Sequence, residues 1–499
     1  MTLSLARTLA PFPRLAVGLV AATLALSAAL LSSPVGAESG ASQRYIVVFD
    51  AVQLADGSYA LGGDHALNHA HALSLVQAAG GSVLNDLTSQ IGVMVVESPN
   101  TLFADVMRGN ALVEEVGSDF GVKALPSLAE VEAYTFDDPA EIIQWDMIQI
   151  RTDEAHAFQE GDRAVDVGIL DTGIDGNHLE FRDDILDPDS GTNVDCGRGR
   201  NSIIPLPTGP GLGNPDPCID HPFHGTHVAG TVAMQQNDHG LVGVAPNVTL
   251  VPVKVCDASG FCYAHAAIDG ITYAGDQQFD VINMSFFVDD DEFQESTEFK
   301  CMDDPTQRAF RQGVERAIQY ARSRGVTPVA ALGNSDEDLA HPESGNQCES
   351  VPQETSGVTG VAALGPRSQK ASYSNYGTGA TDVAAPGGAG ANGDCVNTVP
   401  SAFPGNLYVC IQGTSMASPH AAGVAALIVS QFGTLGSDGD MKLSPTKVEA
   451  YLQNTAVDIG LPGYDECFGN GRIDALRAVT GDTSTLYDPS APFCAEYDE

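Results

Sequence analysis

The sequence predicts an α/β fold, a parallel sheet flanked by helices on both faces, preceded by a small α+β, ferredoxin-like domain. Over residues 142–480, short apolar runs alternate with helical patterns. Residues 164–170, 250–255, 281–284 and 326–332 read as buried strands, with helices at 264–275 and 306–325 between them. Strands that are apolar throughout and separated by helices call for a parallel sheet covered on both sides. Residues 43–121 follow a different order: strand, helix, strand, strand, helix, strand. At 499 residues the chain has room for both units.

The chain opens with Arg7 and Arg14 in an otherwise uncharged N-terminus, then an apolar run over 15–31, then Val35-Gly36-Ala37. This is the pattern of a secretory signal peptide, expected over residues 1–37 and directing the protein outside the cell. A retained membrane anchor is the competing reading, because the run approaches spanning length; the small-residue exit favours cleavage. No later stretch is long and apolar enough to span a bilayer.

The first domain, residues 43–121, begins with the β-type run Arg44-Tyr45-Ile46-Val47-Val48-Phe49. Helical spacing over 65–79 leads to Gly80-Gly81 and a strand at Ser82-Val83-Leu84. An apolar strand over 91–96, a short helix and the strand Val113-Glu114-Glu115-Val116 complete it. Residues 122–141, carrying Pro126, Pro139 and acidic side chains, read as an exposed linker that a protease can reach. The large domain spans 142–480, and a tail over 481–499 is stapled by Cys494.

A net charge of −42 argues against nucleic acid or an anionic membrane as partner and is the mark of a solvated acidic surface. The ten cysteines of an exported chain point to disulfides rather than metal or redox chemistry. They fall as sequence neighbours: Cys196 and Cys218, Cys256 and Cys262, Cys301 and Cys348, Cys395 and Cys410, Cys467 and Cys494. Neighbour pairing is expected because each pair brackets a Gly/Pro/Asp-rich loop, although spacing alone leaves other connectivities open. Each staple would contribute roughly 2–4 kcal/mol.

Three segments carry chemistry: V-G-I-L-D-T-G-I-D around Asp171, H-G-T-H-V-A-G from His224, and G-T-S-M-A-S-P around Ser415. A serine hydroxyl needs a base within hydrogen-bond reach. His224 would take that proton and return it to the leaving amine, while Asp171 would fix the imidazole tautomer and stabilise the imidazolium. Ser415 precedes the small-residue helical stretch 416–429, so it is expected to cap that helix, whose free N–H groups favour an oxyanion. Singly, each residue has a bland reading: a helix cap beside Thr172, a polar loop histidine, an ordinary N-cap. Together, in this order, they read as a triad. His227 and His420 are expected to be structural.

These motifs resemble the subtilisin-like serine protease (subtilase) family, which uses the chain order Asp, His, Ser. The resemblance covers most of the chain after residue 142. It extends to Val281-Ile282-Asn283-Met284-Ser285, to Ala371-Ser372-Tyr373-Ser374-Asn375-Tyr376-Gly377, to Asp382-Val383-Ala384-Ala385-Pro386-Gly387 and to Gly469-Asn470-Gly471-Arg472-Ile473-Asp474-Ala475. Leu332-Gly333-Asn334-Ser335 looks like the family's oxyanion loop, which implies that Asn334 donates its amide alongside the Ser415 N–H. Residues 43–121 resemble the family's inhibitor-type propeptide.

The resemblance implies a secreted endopeptidase made as a zymogen. It would be a monomer that cuts itself within the linker, holds extended peptide by β-augmentation, and has its own propeptide as intramolecular chaperone and inhibitor. The primary pocket maps to Ser285-Phe286-Phe287 and Ala331-Leu332-Gly333. Here the chain departs from the family, which places leucine then glycine after the strand serine; Phe287 would narrow the cleft or tilt its rim. The chemistry requires no cofactor, and structural calcium is the one metal the resemblance allows. The acidic run Asp289-Asp290-Asp291-Glu292 reads first as a solvated loop, second as a site for basic substrate residues or calcium.

A rival from another class is a catalytically silent, secreted peptide-binding protein on the same fold, which predicts a broken triad or a lost oxyanion donor. The acid-acting sedolisin relatives use a glutamate base and an oxyanion aspartate; His224 and Asn334 speak against them. A pH–rate profile separates the two, because a histidine base loses activity on protonation below about pH 6–7.

Overall fold

A computed structural model describes residues 42–494 apart from 63–67, 127–130, 132–133, 138, 140–141, 188, 206–213, 288–303, 341–348, 438 and 493. The expected signal segment, Cys301, Cys348 and the acidic run 289–292 lie outside the described residues.

The N-terminal unit contains β1 (Gln43–Phe49), α1 (His69–Ala78), β2 (Ser82–Leu87), β3 (Val93–Ser98), α2 (Phe103–Arg108) and β4 (Val113–Ser118). Its antiparallel sheet runs β2-β3-β1-β4. Because strand side chains alternate faces, Tyr45, Val47 and Phe49 pack with Ala72, Val76, Phe103 and Met107 into the unit's own core. Ile46 and Val48 point the other way, into a core shared with the large domain. The sequence placed Ile91 in a strand. It instead ends a helical turn, Thr88–Ile91, and Gly92, at φ 71, turns the chain so that β3 starts at Val93.

The large domain contributes β6 (Asp166–Asp171), β7 (Arg200–Asn201), α3 (His224–Ala233), β8 (Thr249–Lys254), α4 (Ala264–Gln277), β10 (Val281–Met284), α5 (Pro305–Ser323), β11 (Thr327–Ala331), β12 (Thr359–Leu364), β13 (Val383–Pro386) and α6 (Thr414–Phe432). The parallel sheet has the order β13-β12-β11-β10-β6-β8-β7. Alternation again sorts the side chains. Val167, Ile169, Val281 and Val329 face α3 and α6, whereas Leu170, Ile282, Met284 and Ala330 face α4 and α5. Two covered faces explain why these strands read as unbroken apolar runs. Helix α6 is buried nearly all round, as a central helix with no polar stripe must be.

The two units pack as one body beyond residue 41. The α5 side chain Arg308 pairs with Glu115 at 2.6 Å, and the buried guanidinium of Arg316 donates to the Phe49 and Ile91 carbonyls at 3.0 and 3.2 Å. The sequence drew the domain boundary at 121/122. The structure instead makes β5 (Gly121–Lys123) a strand, antiparallel to β9 (Phe261–Tyr263) of the large domain. Such a short segment becomes a strand only through its partner. Disulfides join Cys196 to Cys218, Cys256 to Cys262, Cys395 to Cys410 and Cys467 to Cys494.

Candidate active site

Asp171 is the last residue of β6, whose two neighbours, β8 and β10, lie on opposite sides of it. The chain crosses the sheet by helices on opposite faces to reach them, so the carboxyl end of β6 is a topological switch point, where open sheets bind ligands. There the Asp171 carboxylate, fully buried, accepts from the Thr172 N–H at 2.8 Å. It also accepts from His224 Nδ1, at 2.9 and 3.0 Å to its two oxygens. The Nδ1 proton is therefore committed to Asp171, which leaves Nε2 as the acceptor.

Close packing of two turns makes this pairing possible. A Cβ on Gly225 would lie 2.1 Å from the Gly173 carbonyl oxygen, so only glycine lets the turn after Asp171 reach the start of α3. A second carboxylate fastens the two. Buried Asp220 accepts from the hydroxyls of Thr172 at 2.9 Å and Thr226 at 2.6 Å, and from the Thr226 and Phe223 N–H groups at 2.8 and 3.2 Å. Burial raises its pKa above the usual carboxylate range. Lys254, opposite Asp171 in the β8–β6 register, donates to the Asn214 and Ile219 carbonyls at 2.9 Å each and so holds the loop leading to Asp220. Sequence analysis missed both residues. The signal for Asp220 was a lone carboxylate just before H-G-T-H, indistinguishable by type from a loop aspartate.

Ser415 does not cap its helix, contrary to the expectation from sequence. Gly413 takes that place, at φ 154, and Ser415 lies within the first turn of α6. The geometry still suits an oxyanion, because first-turn N–H groups lack intrahelical partners and the Ser415 N–H bonds to none of the described residues. Pro419 cannot donate to the Ser415 carbonyl, as an ordinary residue there would. That carbonyl accepts instead from Ser285 Oγ at 2.9 Å, and Ser415 Oγ donates to the Ser285 carbonyl at 3.1 Å. Ser285 is held in turn by Asn283 Nδ2 at 2.8 Å, whose Oδ1 accepts from Ser418 Oγ at 2.7 Å.

Asn334 follows β11 on the same sheet edge. Its Oδ1 accepts from both the N–H and the hydroxyl of Thr414, at 2.9 Å each, which leaves the amide N–H groups free to donate. His224, Asn334 and Ser415 line one cavity of about 60 Å³ together with Ala124, Pro126 and Val131 of the linker. The structure thus brings the three triad candidates and the oxyanion candidate to one place, with the Ser415 hydroxyl turned to Ser285.

The remaining candidates divide. Ser285 meets Ser415 directly. Phe286, expected to help wall the primary pocket, is almost fully buried and packs in the interior core, whereas Phe287, expected at the rim, is half-buried. Ala331 and Leu332 are both buried, Leu332 within an interior cluster. His227 is buried with Nε2 3.2 Å from the Val399 carbonyl, and burial pushes its pKa down to about 3. It is a neutral packing residue. His420 bridges the Met416 carbonyl at 2.8 Å and Asp146 at 3.1 Å.

The model of the subtilase family matches residues 162–471. The chain is 33% identical over 341 residues to Subtilisin DY of Bacillus licheniformis, covering 68% of this chain and 100% of that one. It is 32% identical over 340 residues to an alkaline protease of Alkalihalobacillus alcalophilus, covering 68% and 70%. Among solved structures, the epidermin leader peptide processing serine protease of Staphylococcus aureus superposes with a TM-score of 0.65 at 20% identity, covering 90% of this chain and 100% of that chain. A lanthipeptide protease gives 0.54 at 23% identity, covering 68% and 95%. The two structural likenesses carry the fold.

Proposed function

This chain belongs to the subtilase family of serine proteases, and from that premise we propose a secreted endopeptidase, made as a zymogen, with Asp171, His224 and Ser415 as its triad. The Asp171–His224 bond beside Ser415 carries this reading. Ser415 Oγ rotates from the Ser285 carbonyl to His224 Nε2, gives up its proton and attacks the scissile carbonyl. Negative charge develops on that oxygen between the Ser415 N–H and the Asn334 amide. His224 then delivers its proton to the leaving amine, and water, deprotonated by the same imidazole, releases the acyl group. The test is hydrolysis of a chromogenic peptide by the processed protein and covalent labelling by a fluorophosphonate, mapped to Ser415 by mass spectrometry. A processed protein that does neither is not this enzyme.

The zymogen reading draws on β5 and the linker. Residues 43–121 serve as propeptide, chaperone and inhibitor. β5 occupies an edge strand of the large domain as a substrate would, and Ala124, Pro126 and Val131 sit in the cavity with Ser415. Cleavage within 122–141 separates the two units. The signal over 1–37 directs export, and among the described residues no helix is long and apolar enough to cross a membrane. The mature enzyme acts as a monomer on protein and peptide substrates, with no nucleic-acid partner.

Structural calcium belongs to the proposal where the donors suit it. Among the described residues no three acidic, histidine or cysteine side chains cluster for a metal. Glu180 Oε2 and Asn237 Oδ1 are, however, buried oxygens without a hydrogen-bond partner. Calcium takes about six to eight oxygen ligands, so these two oxygens by themselves do not make its site. Burial pushes the Glu180 carboxyl from 4.5 up to about 7. Between those values the folded state keeps a proton that the unfolded chain has lost, so this group lowers stability as pH rises, with the cost complete above about pH 7. Glu180→Gln is therefore expected to flatten the fall in melting temperature between about pH 5 and pH 8. An unchanged slope would mean that Glu180 does not titrate over this range.

A further inference from the structure

We propose that the Cys256–Cys262 disulfide is a positioning device for substrate backbone, holding β9 as a rigid edge strand so that extended peptides bind without having to order it. The proposal rests on the protease reading above.

β9 ends a loop that leaves β8 beside the triad. The Val255 and Cys256 N–H groups both donate to the Asp171 carbonyl, at 2.8 and 3.2 Å. The loop returns at Cys262, where an antiparallel bridge and the disulfide close it onto Cys256. Inside it Asp257, nearly fully buried, gathers the donors: Oδ1 accepts from the Ser259 and Phe261 N–H groups at 2.8 and 3.1 Å, and Oδ2 from the Tyr263 hydroxyl at 2.8 Å. The outer edge of β9 pairs with β5, Phe261 with Lys123, Cys262 with Val122 and Tyr263 with Gly121. Lys123 Nζ adds a bond to the Ser259 carbonyl at 2.8 Å, and the Ala124 N–H one to the Gly260 carbonyl at 3.1 Å.

Once β5 departs, this edge is a row of unpaired N–H and C=O groups, which an extended peptide completes by adding a strand. β9 belongs to no larger sheet, since its only strand partner among the described residues is β5, and an isolated two-stranded pairing is marginal in water. An open loop of this length would be ordered anew at each binding event, at the expense of affinity. Covalent closure removes that cost in advance. The chemistry at Ser415 does not use β9, so short substrates should not sense the staple.

The experiment uses the full chain, expressed as zymogen and processed, with active sites counted by fluorophosphonate labelling. Wild type and Cys256→Ser/Cys262→Ser are compared on a tetrapeptide anilide and on a single-residue ester with the same acyl side chain. For the double variant kcat/KM on the tetrapeptide is expected to fall about tenfold or more, carried by KM, while the ester changes by less than about twofold. An equal fall on both substrates, or no fall on either, overturns the proposal. If the double variant does not mature, processed wild type reduced with dithiothreitol, with opening of the Cys256–Cys262 bond checked by alkylation and peptide mapping, decides: KM should rise for the tetrapeptide alone, and an unchanged ratio between the substrates overturns the proposal. Wild type inactive on both substrates would instead reject the protease reading.

Discussion

Replacing Ser415 with alanine is expected to cut turnover of a chromogenic peptide by about 10⁶-fold, the loss measured when the triad serine of a subtilisin is removed. The loss is that large because the acyl-enzyme route disappears entirely. What remains, about 10³–10⁴ over water, comes from binding and the oxyanion donors. The substitution should leave the fold alone. Ser415 is only half-buried, its hydroxyl makes one bond, to the Ser285 carbonyl, and its own carbonyl keeps the Ser285 hydroxyl. Melting therefore stays within about 1 kcal/mol of wild type, which separates lost chemistry from lost structure. The same variant, made in a protease-free host, should accumulate as an uncut precursor whose N-terminal sequence begins before residue 122. Equal turnover in the two proteins would remove the triad assignment; a fully matured variant would remove self-cleavage.

Replacing Asn334 with alanine is expected to lower kcat by about 10²–10³ with little change in KM, again the figure from a subtilisin. The asymmetry follows from when the bond forms: the amide meets the oxygen as it becomes charged, so its loss is felt in the transition state and not in binding. A second effect has to be kept apart from the first. Asn334 Oδ1 takes both donors of Thr414, so alanine also loosens the start of α6. Asn334→Asp separates the two contributions, because it retains the acceptor for Thr414, loses the donor and adds a repelling charge. Its kcat should fall at least as far as that of alanine. A near-normal kcat in the aspartate variant would mean that Asn334 orders the helix rather than the oxyanion.

Much of the scaffold could be read from sequence because its signals are local. The large-domain strands stood out since both faces of each are buried, and α6 since it carries small and apolar residues throughout. The errors are instructive. Ile91 is apolar and sits in an apolar run, yet Gly92 breaks the strand there; hydrophobicity records burial, not backbone conformation. Phe286 is a large side chain at an expected pocket, but it faces the core because alternation along the chain after β10 turns it inward. Segment 121–123 has no strand signal of its own, and its conformation comes from β9. Asp220 looked like any loop aspartate until Thr172 and Thr226 were seen to converge on it.

The sequence by itself determined which groups could do chemistry and in what order they occur: a carboxylate at a strand end, an imidazole opening a helix, a hydroxyl near the head of another, and an asparagine after a strand. Residue type and local pattern are enough for that, because pKa class, nucleophilicity and helix or strand preference are properties of short stretches. Only the tertiary structure decided that Asp171 and His224 touch, that Ser415 presently leans on Ser285, that a second carboxylate locks two turns together, and that a stapled loop pairs with residues 121–123. Those are distances between residues far apart in the chain. They are set by how the sheet and helices pack, which no local stretch encodes.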